Sequence, residues 1–186
     1  MLVILVGKSG AGKSTFVEAM NCPGQLFVSS KAIIEELQKR HISANHDSIH
    51  ACAKEMYGRN PYWQVENILE ALRKNSYLVY DGPRAAQEIK YLLENIQDTL
   101  VVHIVADDKA RYQRLEQREG ITFDEWQRIE EDETQETGLE EVFHNLVDII
   151  IENNHSLQSI EKKARKFRKF FLGGSYNGNR KKDFDS

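Results

Sequence analysis

The sequence predicts an α/β fold of three layers, with helices on both faces of a parallel sheet of about five strands, and three features predict it. Short runs rich in β-branched residues and leucine alternate with helix-period segments along the chain. The first such run, over 2–6, is apolar at every position, as a strand covered on both faces must be. A glycine-rich turn follows it at once and leads into a helix, which is a βα unit.

The elements follow in order. A helix over 14–20, a turn at Pro23-Gly24 and a short strand over 26–28 complete the first βαβ unit. The segment 31–73 is helical with breaks at 41–45 and 58–61, and reads as a helical insertion. A second strong strand, 77–80, ends in Asp81-Gly82-Pro83 and precedes a helix over 84–95. The strand at 99–105 leads into a charged helix over 109–119 and another over 121–136, capped by Thr122; together they form a lid region, 107–136. A last strand at 146–151 and a basic amphipathic helix over 157–171 close one domain, 1–172, leaving 173–186 as a polar, glycine-bearing tail expected to be disordered.

At 186 residues, 40% hydrophobic and 29% charged, the chain can bury one core without disulfides. No apolar run spans a bilayer and the start lacks a signal peptide's basic region, so the expected location is the cytoplasm. Cys22 and Cys52 lack metal-ligand spacing and read as small buried hydrophobes. The net charge of −4 divides unevenly. From Glu161 onward there are nine basic and three acidic residues, against sixteen and twenty-six before it. A solvated helix face explains that asymmetry more simply than a nucleic-acid contact, which stays open as an alternative.

Gly7-Lys8-Ser9-Gly10-Ala11-Gly12-Lys13-Ser14 matches G-x-x-x-x-G-K-[ST] between a strand and a helix. Backbone N–H groups of such a loop turn inward around phosphate oxygens at the positive end of the helix. Lys13 then neutralises the β and γ phosphates of ATP, while Ser14, with Thr15 beside it, ligates Mg²⁺. Asp81, at the carboxyl end of its strand, is placed to hold Mg²⁺ or orient an acceptor, and Arg84 at a helix N-terminus is placed for an acceptor phosphate. Arg111, Arg114 and Arg118 share one helix face and are expected to converge as a clamp on the transferring phosphoryl group. The acidic run 130–140 reads as a solvated face, and His103 as a core or edge residue. Tyr57, Tyr62 and Trp63 fit either an acceptor base or aromatic packing.

On these residues, 1–165 resembles the nucleoside monophosphate kinase group, with the P-loop NTPase fold. It looks most similar to the archaeal and phage adenylate-kinase-like branch related to dephospho-coenzyme-A kinases. Beyond the loop, the resemblance is carried by Asp81-Gly82-Pro83-Arg84 followed by Glu88 and Leu92, by Arg111-Tyr112-Gln113-Arg114-Leu115 to Arg118, by Glu131-Asp132-Glu133 with Gly138, and by Ile151-Glu152-Asn153-Asn154. It implies phosphoryl transfer from Mg-ATP to a nucleotide-type acceptor bound by the insertion. The group's acceptor-gripping Arg after the second strand is here Ile34, so Arg84, Lys31, Arg40 or Arg59 must supply the charge. The acidic base that dephospho-coenzyme-A kinases carry after that strand is missing as well. Two other readings stay open: a kinase of a hydroxyl, including one within nucleic acid, with Asp81 as base, and an ATP-binding switch that signals through a partner.

Overall fold

In the computed structural model, which describes residues 1–136 and 138–173, strand β1 (Leu2–Val6) lies fully buried at the centre of a five-stranded sheet of order β2-β3-β1-β4-β5. Its neighbours are β3 (Leu78–Asp81) and β4 (Thr99–Val105), with β2 (Leu26–Val28) and β5 (Ile149–Glu152) at the edges, and every pairing is parallel. The register sets Leu5 beside Asp81 and Val6 beside His103, so the carboxyl ends of three adjacent strands meet at the loop after β1.

Alternation along β1 divides the core. Val3 and Leu5 face α1 (Lys13–Met20) and α9 (Leu157–Phe167), packing on Phe16, Met20, Ile160 and Phe167. Leu2, Ile4 and Val6 face the opposite layer, where α4 (Val65–Arg73), α5 (Ala86–Asn95) and α8 (Leu139–Asn145) contribute Ile68, Ile89, Leu92 and Val142. A third, smaller core joins α2 (Ser29–Lys39) to α3 (His46–Arg59) through Ile33, Leu37, Cys52 and Tyr57. The segment expected as one insertion over 31–73 therefore divides: α2 and α3 pack on each other, while α4 belongs to the layer that covers the sheet.

Local chemistry explains the boundaries. Asn45 opens α3 with a reciprocal capping pair, its side chain accepting from the Ser48 amide and its own amide donating to Ser48 Oγ, each at 2.9 Å. Thr122 opens α7 (Phe123–Glu136) in the same way with Glu125. Gly120 ends α6 (Asp108–Glu119) in the left-handed conformation that glycine adopts freely. Helix α8 is short and was hidden in the sequence at the end of the acidic run, and α9 continues into a π-helical turn, Arg168–Leu172. The expected tail lies outside the described residues from 174 onward. Among the described residues no helix is long and apolar enough to cross a membrane.

Candidate functional site

The loop between β1 and α1 is shaped by glycines where side chains cannot go. Gly12 has φ +101° and its missing Cβ would run into the Asn153 side-chain amide; a Cβ on Gly10, at φ +77°, would stand 2.7 Å from the Arg111 carbonyl oxygen. The carbonyls of the loop are held from outside. Arg111 Nη1 donates to Ser9 O at 3.1 Å, Arg114 Nη1 to Gly10 O at 3.0 Å, and Asn153 Nδ2 to Ala11 O at 2.8 Å. These bonds hold the loop at the N-terminus of α1, where it lines a cavity of about 460 Å³, an arrangement that suits an anion.

Lys13 Nζ donates to the carbonyls of Gly7 and Lys8, at 2.5 and 3.3 Å, which keeps the ammonium at the cradle's mouth. Gly7, Lys8, Ser9, Gly10, Gly12, Lys13, Ser14 and Thr15 all line the cavity, whereas Ala11 is buried behind the loop. Across from them stand Ser30, Asp81, Gly82, Pro83 and Arg84, with Arg114 and Arg118 entering from α6. Asp81 is 7% exposed, and its Oδ1 has no hydrogen-bond partner among the described residues. Burial pushes its carboxyl up from the usual range, and the charges of Lys13 and Arg84 pull it back.

The expected clamp comes apart on helix α6. Arg111 is buried and points away from the cavity into a bidentate pair with Glu130 of α7, with a further bond to Asp108. It is a brace of the loop rather than a phosphate ligand in this arrangement, because a carboxylate from the next helix claims its guanidinium. Arg114 lines the cavity but also ties Gly10 O to Asn153 O. Arg118, one turn further along, pairs with Glu119 and is well exposed at the rim. Glu130 corrects a second expectation: it belongs to no solvated face, its side chain being 15% exposed and also paired with Lys8 at 3.5 Å. Lys8 in turn reaches Glu140 of α8.

On the acceptor side Arg84 lines the cavity, while the other expected acceptor cations do not. Lys31 is exposed outside the lining, and Arg59 pairs with Glu55 on the outer side of α3. Arg40 is bound by Glu36 and Glu55. Tyr57 and Trp63 pack edge-on at 5.8 Å as part of the α2–α3 core, and Tyr62 is exposed beside Tyr91. His103 stacks on Phe143 at 4.3 Å beneath the loop, and burial together with the Lys13 charge lowers its pKa to about 4. On α9 the basic residues lie on the face away from α1; Lys163 donates to Glu152 O and Arg165 pairs with Glu161.

Asn153 and Glu88 stood out in the sequence only as positions of the resemblance. A position just past the last strand, level with the loop, is the signal that could have assigned Asn153.

A divalent cation fits this donor set. Ser14 lines the cavity beside Lys13, and Asp81 Oδ1 is a buried acceptor without a partner among the described residues. Among the described residues no cluster of three or more His, Cys, Asp or Glu could hold a metal. Mg²⁺ takes one or two protein ligands and fills its shell with water and phosphate oxygens, so a hydroxyl and one carboxylate would be enough to hold it.

The sheet order, the glycine-rich loop after the central strand and the strand-end carboxylate define a three-layer P-loop fold. No family model matches the chain. Two curated relatives are described as UPF0200 proteins. One, from Thermococcus onnurineus, is 27% identical, with 63% of this chain and 68% of the relative covered; the other, from Pyrobaculum aerophilum, is 24% identical, with 61% and 64% covered. Among solved structures, a gluconokinase from Sinorhizobium meliloti aligns with TM-score 0.54 at 19% identity over 87% of each chain. A shikimate kinase from Acinetobacter baumannii, in complex with shikimate, aligns with TM-score 0.55 at 15% identity over 95% of each. These likenesses show the fold.

Proposed function

We propose that the chain transfers the γ-phosphoryl group of Mg-ATP to a nucleotide-type acceptor, a nucleoside or deoxynucleoside monophosphate. The observation that carries the reading is a single cavity with the amide cradle and Lys13 on one wall and Arg84 on the other. The order Asp81-Gly82-Pro83-Arg84 after a central strand, with an arginine helix further on, supports the nucleoside monophosphate branch within the kinase fold.

The cradle and Lys13 hold the β and γ phosphates, and Ser14 with Asp81 would hold Mg²⁺, which neutralises charge on the transferring oxygens. Arg84 binds the acceptor phosphate bidentately and sets one of its oxygens in line with the γ-phosphorus. The new bond joins that oxygen to the γ-phosphorus as the bond to the β–γ bridging oxygen breaks, and the electron pair leaves with ADP. A phosphate acceptor, with a second pKa of about 6, is already ionised and needs no general base. Arg114 and Arg118 stand over the cavity, where developing charge is greatest.

One observation favours a second reading. Asp81 Oδ1 has no hydrogen-bond partner among the described residues and burial pushes its carboxyl up from the usual range, which favours a base for a hydroxyl acceptor. The gluconokinase and shikimate kinase names point the same way. An ADP-release screen with Mg-ATP over nucleoside monophosphates, deoxynucleoside monophosphates, gluconate, shikimate and oligonucleotides separates them. Turnover with a monophosphate is expected; turnover confined to hydroxyl acceptors sinks the first reading, and slow hydrolysis with no acceptor response leaves the ATP-binding switch.

A further inference from the structure

Behind Arg84 the structure buries a carboxyl group that the reaction above does not use. Glu88, on the first turn of α5, is fully buried, and its Oε2 accepts from the Tyr80 hydroxyl at 2.5 Å and the Tyr57 hydroxyl at 3.4 Å. Tyr80 precedes Asp81 on β3, and Tyr57 sits near the end of α3. One carboxylate oxygen therefore joins the catalytic strand, the helix that begins just after Arg84, and the helical insertion. Among the described residues its other oxygen, Oε1, has no hydrogen-bond partner, nor has Gln64 Oε1, and Ser29 Oγ, fully buried like Gln64, meets none at full geometry although it stands by the Tyr57 hydroxyl. Gln64 Nε2 donates to Ser29 O at 3.2 Å, linking the start of α4 to that of α2.

We infer that Glu88 is a positioning residue for the acceptor side, fixing α3 through Tyr57 and Tyr80 to the strand that carries Asp81. Close-packed interiors rarely leave polar atoms unpaired, so three of them along one seam mark a joint with a second arrangement available, in which the insertion shifts and the spare groups are used. Burial pushes the Glu88 carboxyl up to about 7, and the Tyr80 and Tyr57 hydroxyls pull it down. The charged or titratable groups around it are those two tyrosines, both kept neutral by burial, and Arg84, whose charge reaches Tyr57. Near neutral pH the joint therefore exists with Glu88 either as a donor or as an acceptor. This inference rests on the proposed reaction only in taking the insertion as the acceptor's seat.

Trp63, packed on Tyr57, reports the joint without any assay of activity. In a Trp126→Phe background, its emission is expected to titrate with a midpoint near 7 and to lose that transition in Glu88→Gln. Tyr57→Phe, which deletes one hydrogen bond to the carboxylate, should move the midpoint upward and serves as the second variant should Glu88→Gln not fold. With a competent acceptor, Glu88→Gln raises acceptor half-saturation roughly tenfold and leaves ATP affinity within about twofold. A parent emission that is flat across neutral pH overturns the inference, as does equal loss toward ATP and acceptor. Absence of turnover with an intact titration overturns the reaction and leaves the joint standing.

Discussion

On the phosphate side of the cavity, the carbonyls of Ser9, Gly10 and Ala11 are each bonded from behind, by Arg111, Arg114 and Asn153. On the acceptor side, Arg84 reaches the cavity from the turn before α5, and the layer behind it holds atoms of Ser29, Gln64 and Glu88 that lack a hydrogen-bond partner among the described residues. The first wall is held in place by these bonds, and dipoles fixed in advance stabilise charge without rearrangement. The second is buried but leaves polar atoms unpartnered among the described residues, and on the inference above it can shift. A donor common to many reactions calls for the rigid wall; an acceptor that must be enclosed calls for the adjustable one.

Three substitutions break or sharpen this contrast. The largest effect is expected from Lys13→Ala, which removes the ammonium at the loop's mouth: phosphoryl transfer should fall by roughly 10²–10³-fold or more, with an unchanged thermal midpoint and circular dichroism. Retained turnover would undo the assignment of the phosphate wall. Next is Arg84→Ala. Loss of one charge-assisted contact of about 1.5–3 kcal/mol should raise acceptor half-saturation roughly tenfold to a hundredfold, while calorimetry shows ATP binding unaltered. A matching loss of ATP affinity would mean that Arg84 serves the donor instead. The smallest is Asn153→Ala, which leaves the buried Ala11 carbonyl without its donor and should lower stability by about 1–3 kcal/mol in a denaturant titration. It should also weaken ATP more than acceptor, since only the rigid wall is loosened.

The loop between β1 and α1 was readable in the sequence apart from Ala11, which turns behind it, because the motif constrains backbone conformation and the strand before it and the helix after it are local. Asp81 and Arg84 were readable for a similar reason, standing where a buried strand gives way to a turn. Helix period correctly grouped Arg111, Arg114 and Arg118, but it could not say which neighbour would meet them. Glu130, nineteen residues beyond Arg111, takes that guanidinium, so the helix supplies a brace at its start and rim charge at its end. The helical insertion showed the same gap: α2, α3 and α4 look alike in pattern, and only packing separates the two that form their own core from the one that covers the sheet.

By itself the sequence determined the alternation of strands and helices, the glycine positions that let a backbone close around phosphate, and the placing of a carboxylate and an arginine at a strand end. All of these are set by interactions between residues close along the chain. The tertiary structure alone decided which of seven candidate cations face the cavity, that Asn153 and Arg111 hold the loop from outside, and that Glu88 is enclosed with two tyrosines. Those outcomes depend on the field and the hydrogen-bonding partners at a point in space, which are contributed by segments from every part of the chain.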